Sequence, residues 1–461
     1  LALSLSILAV LPFAVDMRLY TPVRGQLYFL QIGVFFSFGA VMLARAFSRF
    51  ERPRLSIPLV AVATSAAAVL ASAWWGPRPE YGRETSLYAL DRSLLWLSGI
   101  ALFLMLNVAA RRHDLFRIFP WIVLVQTALL AFYGLAQHFG WERWIAPLLG
   151  LDRETILPYS EDVQKNALIA TFGHPNFYGS FMGPAMFLIL ARAATPIRAN
   201  RPQLHRLGEI GRLIALPTAF AILLSLYFAK SRAVWIGSAL GFSVAGAIVL
   251  AAHRDRVKAA FRLTGVRFAA ISFASLAVAA ALLSSPASAA RAAFDSAASI
   301  VTRSEFENRL YFWYIASGMR DPLRPIGIGA RGFQREFWDD VDTHQQTPEG
   351  GLFRRNLMAI MGEEHSLDPG NVHNDYIETR TEFGPFALFA YLLLVGYLVW
   401  FYGLAALRSR ESALPMALVL GGFVCMLFDQ TLGFPLALPC SLALFWHFAA
   451  LMNQTIERGA A

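Results

Sequence analysis

Three short clusters in this 461-residue sequence carry side chains that could do chemistry. Lys230-Ser231-Arg232 sets two cations between two apolar runs with almost no loop. Arg232 would open a helix, and a guanidinium at a helix N-terminus suits an oxyanion or a diphosphate. The competing account is snorkelling, in which a long basic side chain reaches from a helix end to the headgroups. Asn308-Arg309-Leu310-Tyr311-Phe312-Trp313 places Arg309 and Trp313 four residues apart, on one helix face. A second arginine near the first would let two planar forks grip a diphosphate, and Arg303 competes with Arg309 for that role. Taken alone, a packed amphipathic helix lying on the membrane explains this stretch as well. Gly370-Asn371-Val372-His373-Asn374-Asp375-Tyr376-Ile377, ending in Glu382-Phe383-Gly384, leads directly into an apolar run. A neutral His373 there could accept a proton from an attacking hydroxyl. The plainer account is a loop histidine that caps the following helix, and His365 is a nearby rival.

Two further motifs carry less. Gly327-Ile328-Gly329-Ala330-Arg331-Gly332 matches G-x-G-x-x-G, but it follows Pro322 and Pro325 and lies in no βαβ pattern. A turn is expected rather than a dinucleotide site. Asp339-Asp340-Val341-Asp342 resembles acidic clusters that hold a divalent ion with a nucleotide sugar. Its placement away from the cytoplasm, argued below, favours a solvated acidic loop. The two cysteines, Cys425 and Cys440, lie in apolar runs, so neither a disulfide framework nor a thiolate metal site is indicated.

The elements that must position these clusters are membrane helices. Hydrophobic residues make up 56% of the chain and charged residues 15%, with a mean hydropathy of +0.48. A soluble domain would carry roughly a quarter charged residues. The apolar residues gather into runs long enough to cross about 30 Å of hydrocarbon. The pattern predicts about twelve spans, near 1–15, 26–44, 57–75, 92–109, 118–139, 174–191, 213–229, 233–252, 268–284, 384–403, 413–428 and 434–452. Leu1–Val15 lacks a basic leader and a small-residue cleavage site and is taken as the first span rather than a signal peptide.

Charge orients the spans. Connectors 45–56, 110–117, 192–212, 253–267 and 404–412 hold 19 Lys/Arg against 5 Asp/Glu. The alternate set, 16–25, 76–91, 140–167, 230–232 and 429–433, holds 9 against 10. The positive-inside rule then puts both termini in the cytoplasm and the second set outside. The net charge of +9 is accounted for by this asymmetry, not by a nucleic-acid groove. Wholly basic Lys230–Arg232 is anomalous for an outward connector, which weighs against mere snorkelling. The expected organisation is an N-terminal bundle of about nine spans (1–284), a large outer loop (285–383, with 10 Lys/Arg and 15 Asp/Glu) and C-terminal spans (384–461). Within the loop, a helix is expected around Glu305–Met319, and the outward loop 140–167, with Trp141, Trp144 and Tyr159, could partner it.

Together these features resemble the O-antigen ligase and polysaccharide polymerase superfamily. The resemblance rests on Ser231-Arg232-Ala233-Val234-Trp235-Ile236-Gly237, on Arg309–Trp313 followed by Pro322 and Gly327–Phe333, on His373–Gly384, and on Gly173-His174-Pro175-Asn176. It covers nearly the whole chain, and the order and spacing of the motifs matter more than any one of them. It implies an all-α polytopic fold of the GT-C-like kind, with a partly helical periplasmic loop, in a bacterial inner membrane. It also implies transfer of a glycan from an undecaprenyl-diphosphate carrier to an acceptor hydroxyl, such as lipid A–core, at the periplasmic face, without a cofactor or metal. In that scheme Arg232 and Arg309 hold the diphosphate and His373 activates the acceptor. Lys230, Arg303, Asn374, Tyr376, Trp235, Trp313 and His174 would contact substrate. Polymerases and protein O-oligosaccharyltransferases of the same superfamily share this chemistry. A flippase or transporter would instead show paired broken helices and half-to-half symmetry, which the sequence lacks.

Overall fold

The computed structural model describes residues 2–14, 22–46, 56–75, 82–141, 168–195, 202–254, 304–319, 326–337 and 371–460. These residues are helical with short turns, and no strand occurs among them. In chain order the helices are α1 (Ala2–Val10), α2 (Pro22–Ala46), α3 (Ile57–Trp75), α4 (Gly82–Ala110), α5 (Leu115–His138), α6 (Pro175–Ala194) and α7 (Pro202–Ala229). Then follow α8 (Arg232–Ala252), α9 (Ser304–Gly318), α10 (Asp375–Phe383), α11 (Pro385–Arg408), α12 (Ala413–Leu432) and α13 (Pro439–Ala460).

Nine of the described helices are long and apolar enough to cross a membrane: α2 to α8, α11 and α12. All nine coincide with expected spans, and α9 matches the helix expected around Glu305–Met319. The first expected span is a nine-residue helix followed by a single 3-10 turn at Leu11–Phe13. The expected span at 434–452 becomes a 3-10 turn at Pro435–Ala437 and then α13. That helix carries Ser441, His447, Asn453 and Gln454, all buried, which lowers its hydropathy. It can carry them because neighbouring helices, rather than lipid, surround it. The expected span 268–284, the residues Arg303, Pro322 and His365, the acidic patch Asp339–Asp342, and Trp144 and Tyr159 lie outside the described residues.

Small residues let the helices that bear the site approach closely. A Cβ on Gly237 of α8 would sit 3.0 Å from the Cys425 carbonyl oxygen of α12. Gly241 and Gly421 face each other's carbonyls across the same pair, and Gly183 of α6 faces Val234 of α8. Close backbone approach through glycine is the usual basis of helix association where lipid removes the hydrophobic drive. Cys425 and Cys440 are buried free thiols. At the end of the bundle remote from the site, Gln454 of α13 accepts from Leu115 N–H (3.0 Å) and donates to Ala110 O (2.6 Å), tying α13 to the α4–α5 turn.

Candidate functional site

The four motif regions meet at one end of the bundle. α6 starts there: His174 is its N-cap, its Nδ1 accepting from Asn176 N–H at 3.2 Å, with Pro175 at the first helical position. α7 and α8 meet there too, joined by Lys230 and Ser231 alone. Lys230 takes a left-handed backbone conformation (φ 55°), which closes this tight turn. Ser231 is buried against Gly179, in the second turn of α6. α12 ends there at Leu432, and α10 and α11 are separated there by Gly384, whose φ of 89° few other residues could adopt.

His373 lies just before α10 with φ 57°, also left-handed. It does not cap that helix. Asn374 does, its side-chain oxygen accepting from Tyr376 and Ile377 N–H, each at 3.0 Å. The His373 ring stacks on Phe312 of α9 (centroids 6.0 Å apart, planes 13°) and meets Phe434 edge-on at 4.9 Å. Phe434 also contacts Phe177, which in turn contacts His174. Burial, then the positive charge of Arg309, then His174, push the His373 imidazolium down to about 4. It is therefore neutral at pH 7. A free imidazole with that value is a weak base, but much of the depression comes from missing water and a neighbouring cation. An anion bound beside Arg309 would offset the cation in part.

Arg309 donates to the Leu432 carbonyl at 2.6 Å, where the terminal carbonyls of α12 lack intrahelical donors. Its charge also acts on Asp429, one turn earlier in α12, which is buried close to Ser180 of α6. Asn374 donates to Thr431 O (3.1 Å) and Tyr376 donates to Leu427 O (2.9 Å), so α9 and α10 both dock on the last turns of α12. Trp313 packs against a small apolar cluster of Phe312, Ile315, Phe333, Phe337 and Val372. The Gly327–Gly332 stretch is the expected turn. Ile328 and Gly329 donate to Thr381 O and Glu382 O, each at 3.0 Å, and a Cβ at Gly327 would clash with those carbonyls.

The structure thus brings His174, Arg309, Trp313, His373, Asn374 and Tyr376 together. Arg232, Lys230 and Trp235 stand one helix away, on α8 and its turn. Lys230 is exposed, Arg232 half-buried and Trp235 39% exposed. Among the described residues Arg232 has no hydrogen bond or ion pair, whereas Arg309 is tied to α12 through the Leu432 carbonyl.

A buried charge cluster beneath α10 is absent from the sequence reading. Arg92 of α4 pairs with Glu378 and lies 3.9 Å from Glu382, and all three are buried. Asp375 is buried beside them and accepts from Leu436 N–H at 2.9 Å. One guanidinium faces three carboxyls. Burial and the Glu378 charge raise both Asp375 and Glu382, the latter to about 8. The available signal was Arg92 itself, a charge at the edge of an apolar run, together with the i, i+4 spacing of Glu378 and Glu382. Asp429 was missed because α12 was expected to end at 428.

Residues 217–392, which include Arg232, Arg309 and His373, match the family model described as O-antigen ligase. Over that part of the chain the protein is similar to the O-antigen ligase family. The match implies an enzyme of the glycosyl-transfer type, in keeping with a multi-pass membrane protein. It spans α8, α9, α10 and parts of α7 and α11, the elements that bear most of the O-antigen ligase-like motifs. His174 lies outside it. No curated protein and no solved structure matches the chain.

Proposed function

We infer that this protein transfers a glycan from an undecaprenyl-diphosphate carrier to an acceptor hydroxyl, of the O-antigen ligase type, with lipid A–core as acceptor. The observation that carries the reading is the neutral His373 beside Arg309, with Arg232 across α6, all three within the matched segment. In the reaction the acceptor oxygen attacks the anomeric carbon and forms the new glycosidic bond. The bond from that carbon to the diphosphate oxygen breaks, and the diphosphate leaves on its lipid. His373 receives the hydroxyl proton. Arg309 and Arg232 stabilise the departing charge in a dry site, the task that otherwise falls to a metal ion. Lys230, Trp235, Trp313 and His174 line the approach, and Arg303 is assigned the same role. Asn374 and Tyr376 act from α10.

The reading includes a bacterial inner-membrane location, cytoplasmic termini and a site facing the periplasm, with 285–383 as its cap. The charge asymmetry of the connectors supports that orientation. No nucleotide sugar is needed. The test is transfer by purified protein in detergent, with carrier-linked glycan, lipid A–core and excess EDTA. Product that survives the chelator and is lost in His373→Ala is expected. Full activity in Arg232→Ala, Arg309→Ala and His373→Ala, each folded, would overturn the assignment. Longer carrier-linked chains with no lipid A–core product would make the protein a polymerase. Product on a pilin-like protein alone would make it an oligosaccharyltransferase.

A further inference from the structure

We propose that the buried Arg92–Glu378 pair is a positioning device for His373, acting through the backbone immediately before it. The inference rests on the glycosyl-transfer reading only for its activity readout. α10 is nine residues long and its sequence, DYIETRTEF, is too polar to hold its place by apolar burial. Nevertheless Asp375, Glu378, Thr379, Thr381, Glu382 and Phe383 are all buried. Polar anchors hold it instead. Glu378 is central among them: one carboxylate oxygen pairs with Arg92 of α4, and the other accepts from Val372 N–H at 3.2 Å. Val372 directly precedes His373, whose φ of 57° costs energy in a non-glycine residue unless the flanking backbone enforces it.

A continuous path therefore runs from a transmembrane helix to the imidazole. α4 fixes Arg92, Arg92 fixes the Glu378 carboxylate, and the carboxylate fixes the peptide that enters the left-handed residue. The same short helix sets the cation. Thr381 donates to Ala316 O of α9 at 3.0 Å, and α9 carries both Arg309 and Phe312, the ring on which His373 stacks. Arg92 and Glu378 make no contact with the acceptor or the diphosphate in this scheme. They are positioning residues. Arg92 is the cation paired with Glu378, whereas Glu382 also feels the positive charge of Arg331.

A merely structural ion pair and a positioning one separate in a double apolar replacement. Removing one partner strands a buried charge and threatens the fold, whereas replacing both by apolar groups of similar volume restores stability in many buried pairs. Arg92→Met/Glu378→Met is the informative variant, compared with Arg92→Lys, Glu378→Gln and the wild type in detergent. Two readouts are taken: steady-state transfer kinetics, and hydrogen exchange of the peptide spanning Val372–Asn374.

The expectation is a double variant with near-wild-type thermal stability. Its kcat should fall about 100-fold, the order of loss that a 1 Å misplacement of a catalytic group produces, with KM for the lipid donor little changed. Exchange at Val372–Asn374 should accelerate. Glu378→Gln, which keeps an oxygen for Val372 N–H, should retain more kcat than the double variant. A double variant that is stable and fully active would overturn the proposal, as would unchanged exchange at Val372–Asn374. If the double variant is unstable, Glu378→Gln with unprotected exchange and full kcat would overturn it as well. Failure of the glycosyl-transfer reading appears separately, as wild-type protein inactive towards every acceptor while the exchange result still stands.

Discussion

Asn374 shows how the fold and the site share single atoms, and two substitutions at this position separate its contributions. Its oxygen caps α10 by accepting from Tyr376 and Ile377 N–H, and its nitrogen donates to Thr431 O at the end of α12. Asn374→Ala removes both. Losing the cap costs about 1 kcal/mol. Losing the tether costs about another 1 kcal/mol. Asn374→Asp keeps the acceptor and loses the donor. It retains the cap, and a carboxylate at a helix N-terminus is electrostatically favoured, but it now faces the Thr431 carbonyl without a proton to share. The loss in Asn374→Asp should therefore come from the tether, with added repulsion, and its effect should fall on the α10–α12 contact rather than on α10 itself. Thermal unfolding in detergent should lower the midpoint by a few degrees in Asn374→Ala. Hydrogen exchange should then show Tyr376 and Ile377 amides protected in Asn374→Asp and exposed in Asn374→Ala. Transfer should drop in both, because Arg309 docks on the neighbouring Leu432 carbonyl. If Asn374→Asp matched the wild type in midpoint and activity, the tether would carry no weight. Equal exchange at Tyr376 and Ile377 in the two variants would refute the capping argument.

Gly327→Ala should cost about 2 kcal/mol or more, since the new Cβ meets the Glu382 and Thr381 carbonyls and breaks two backbone hydrogen bonds; chemical denaturation against wild type checks it. Stability should fall as pH rises from 6.5 to 8. With Glu382 raised to about 8, the folded chain keeps a proton there that the unfolded chain has already lost above about 4.5. The loss from this group is about 2 kcal/mol over that window and should vanish in Glu382→Gln. His373 acts with the opposite sign: its depressed value of about 4 adds a contribution that rises from pH 4 to 6.5 and offsets the Glu382 fall there, so His373→Gln should extend that fall below pH 6.5 in a pH series of unfolding midpoints. In kinetics, the acid limb of kcat/KM should lie near 4 and that of kcat at higher pH, because bound diphosphate favours the imidazolium. Coincident limbs would show that His373 does not sense the donor.

The spans were legible because hydrocarbon thickness imposes a length on any apolar run, and nine described helices fall where the sequence places them. α13 was legible as a helix, but the burial of its polar residues was not. Its buried His447, Asn453 and Gln454 depend on α4 and α5 wrapping it, a tertiary fact that no local window of the sequence contains. The ends of α4 and α12 were harder still. Placing the α12 terminus at 428 instead of 432 moved Asp429 from a buried position facing Ser180 into a supposed outer connector. Boundary errors of a turn matter little to a fold. They matter greatly to a site built on helix ends.

The same asymmetry explains which candidate site residues stand out in the sequence. Arg232, Arg309 and His373 stand out because a cation or an imidazole at a membrane edge is costly enough to require a reason. Arg92, Glu378 and Glu382 do not, because each lies in a stretch where a single charge reads as an interfacial residue and their pairing joins α4 to α10 across more than 280 positions. They nevertheless account for why the imidazole stays where it is. A histidine beside an arginine, both short of water, is repelled from that place at low pH and gains little by staying at high pH. Something else must hold it there. Aromatic contacts with Phe312 and Phe434 fix the ring, but edge and stacking contacts are worth only about 1 kcal/mol each and tolerate sliding. The backbone must supply the remaining constraint. A carboxylate locked to a transmembrane helix and bonded to the peptide before His373 is the strongest such constraint among the described residues.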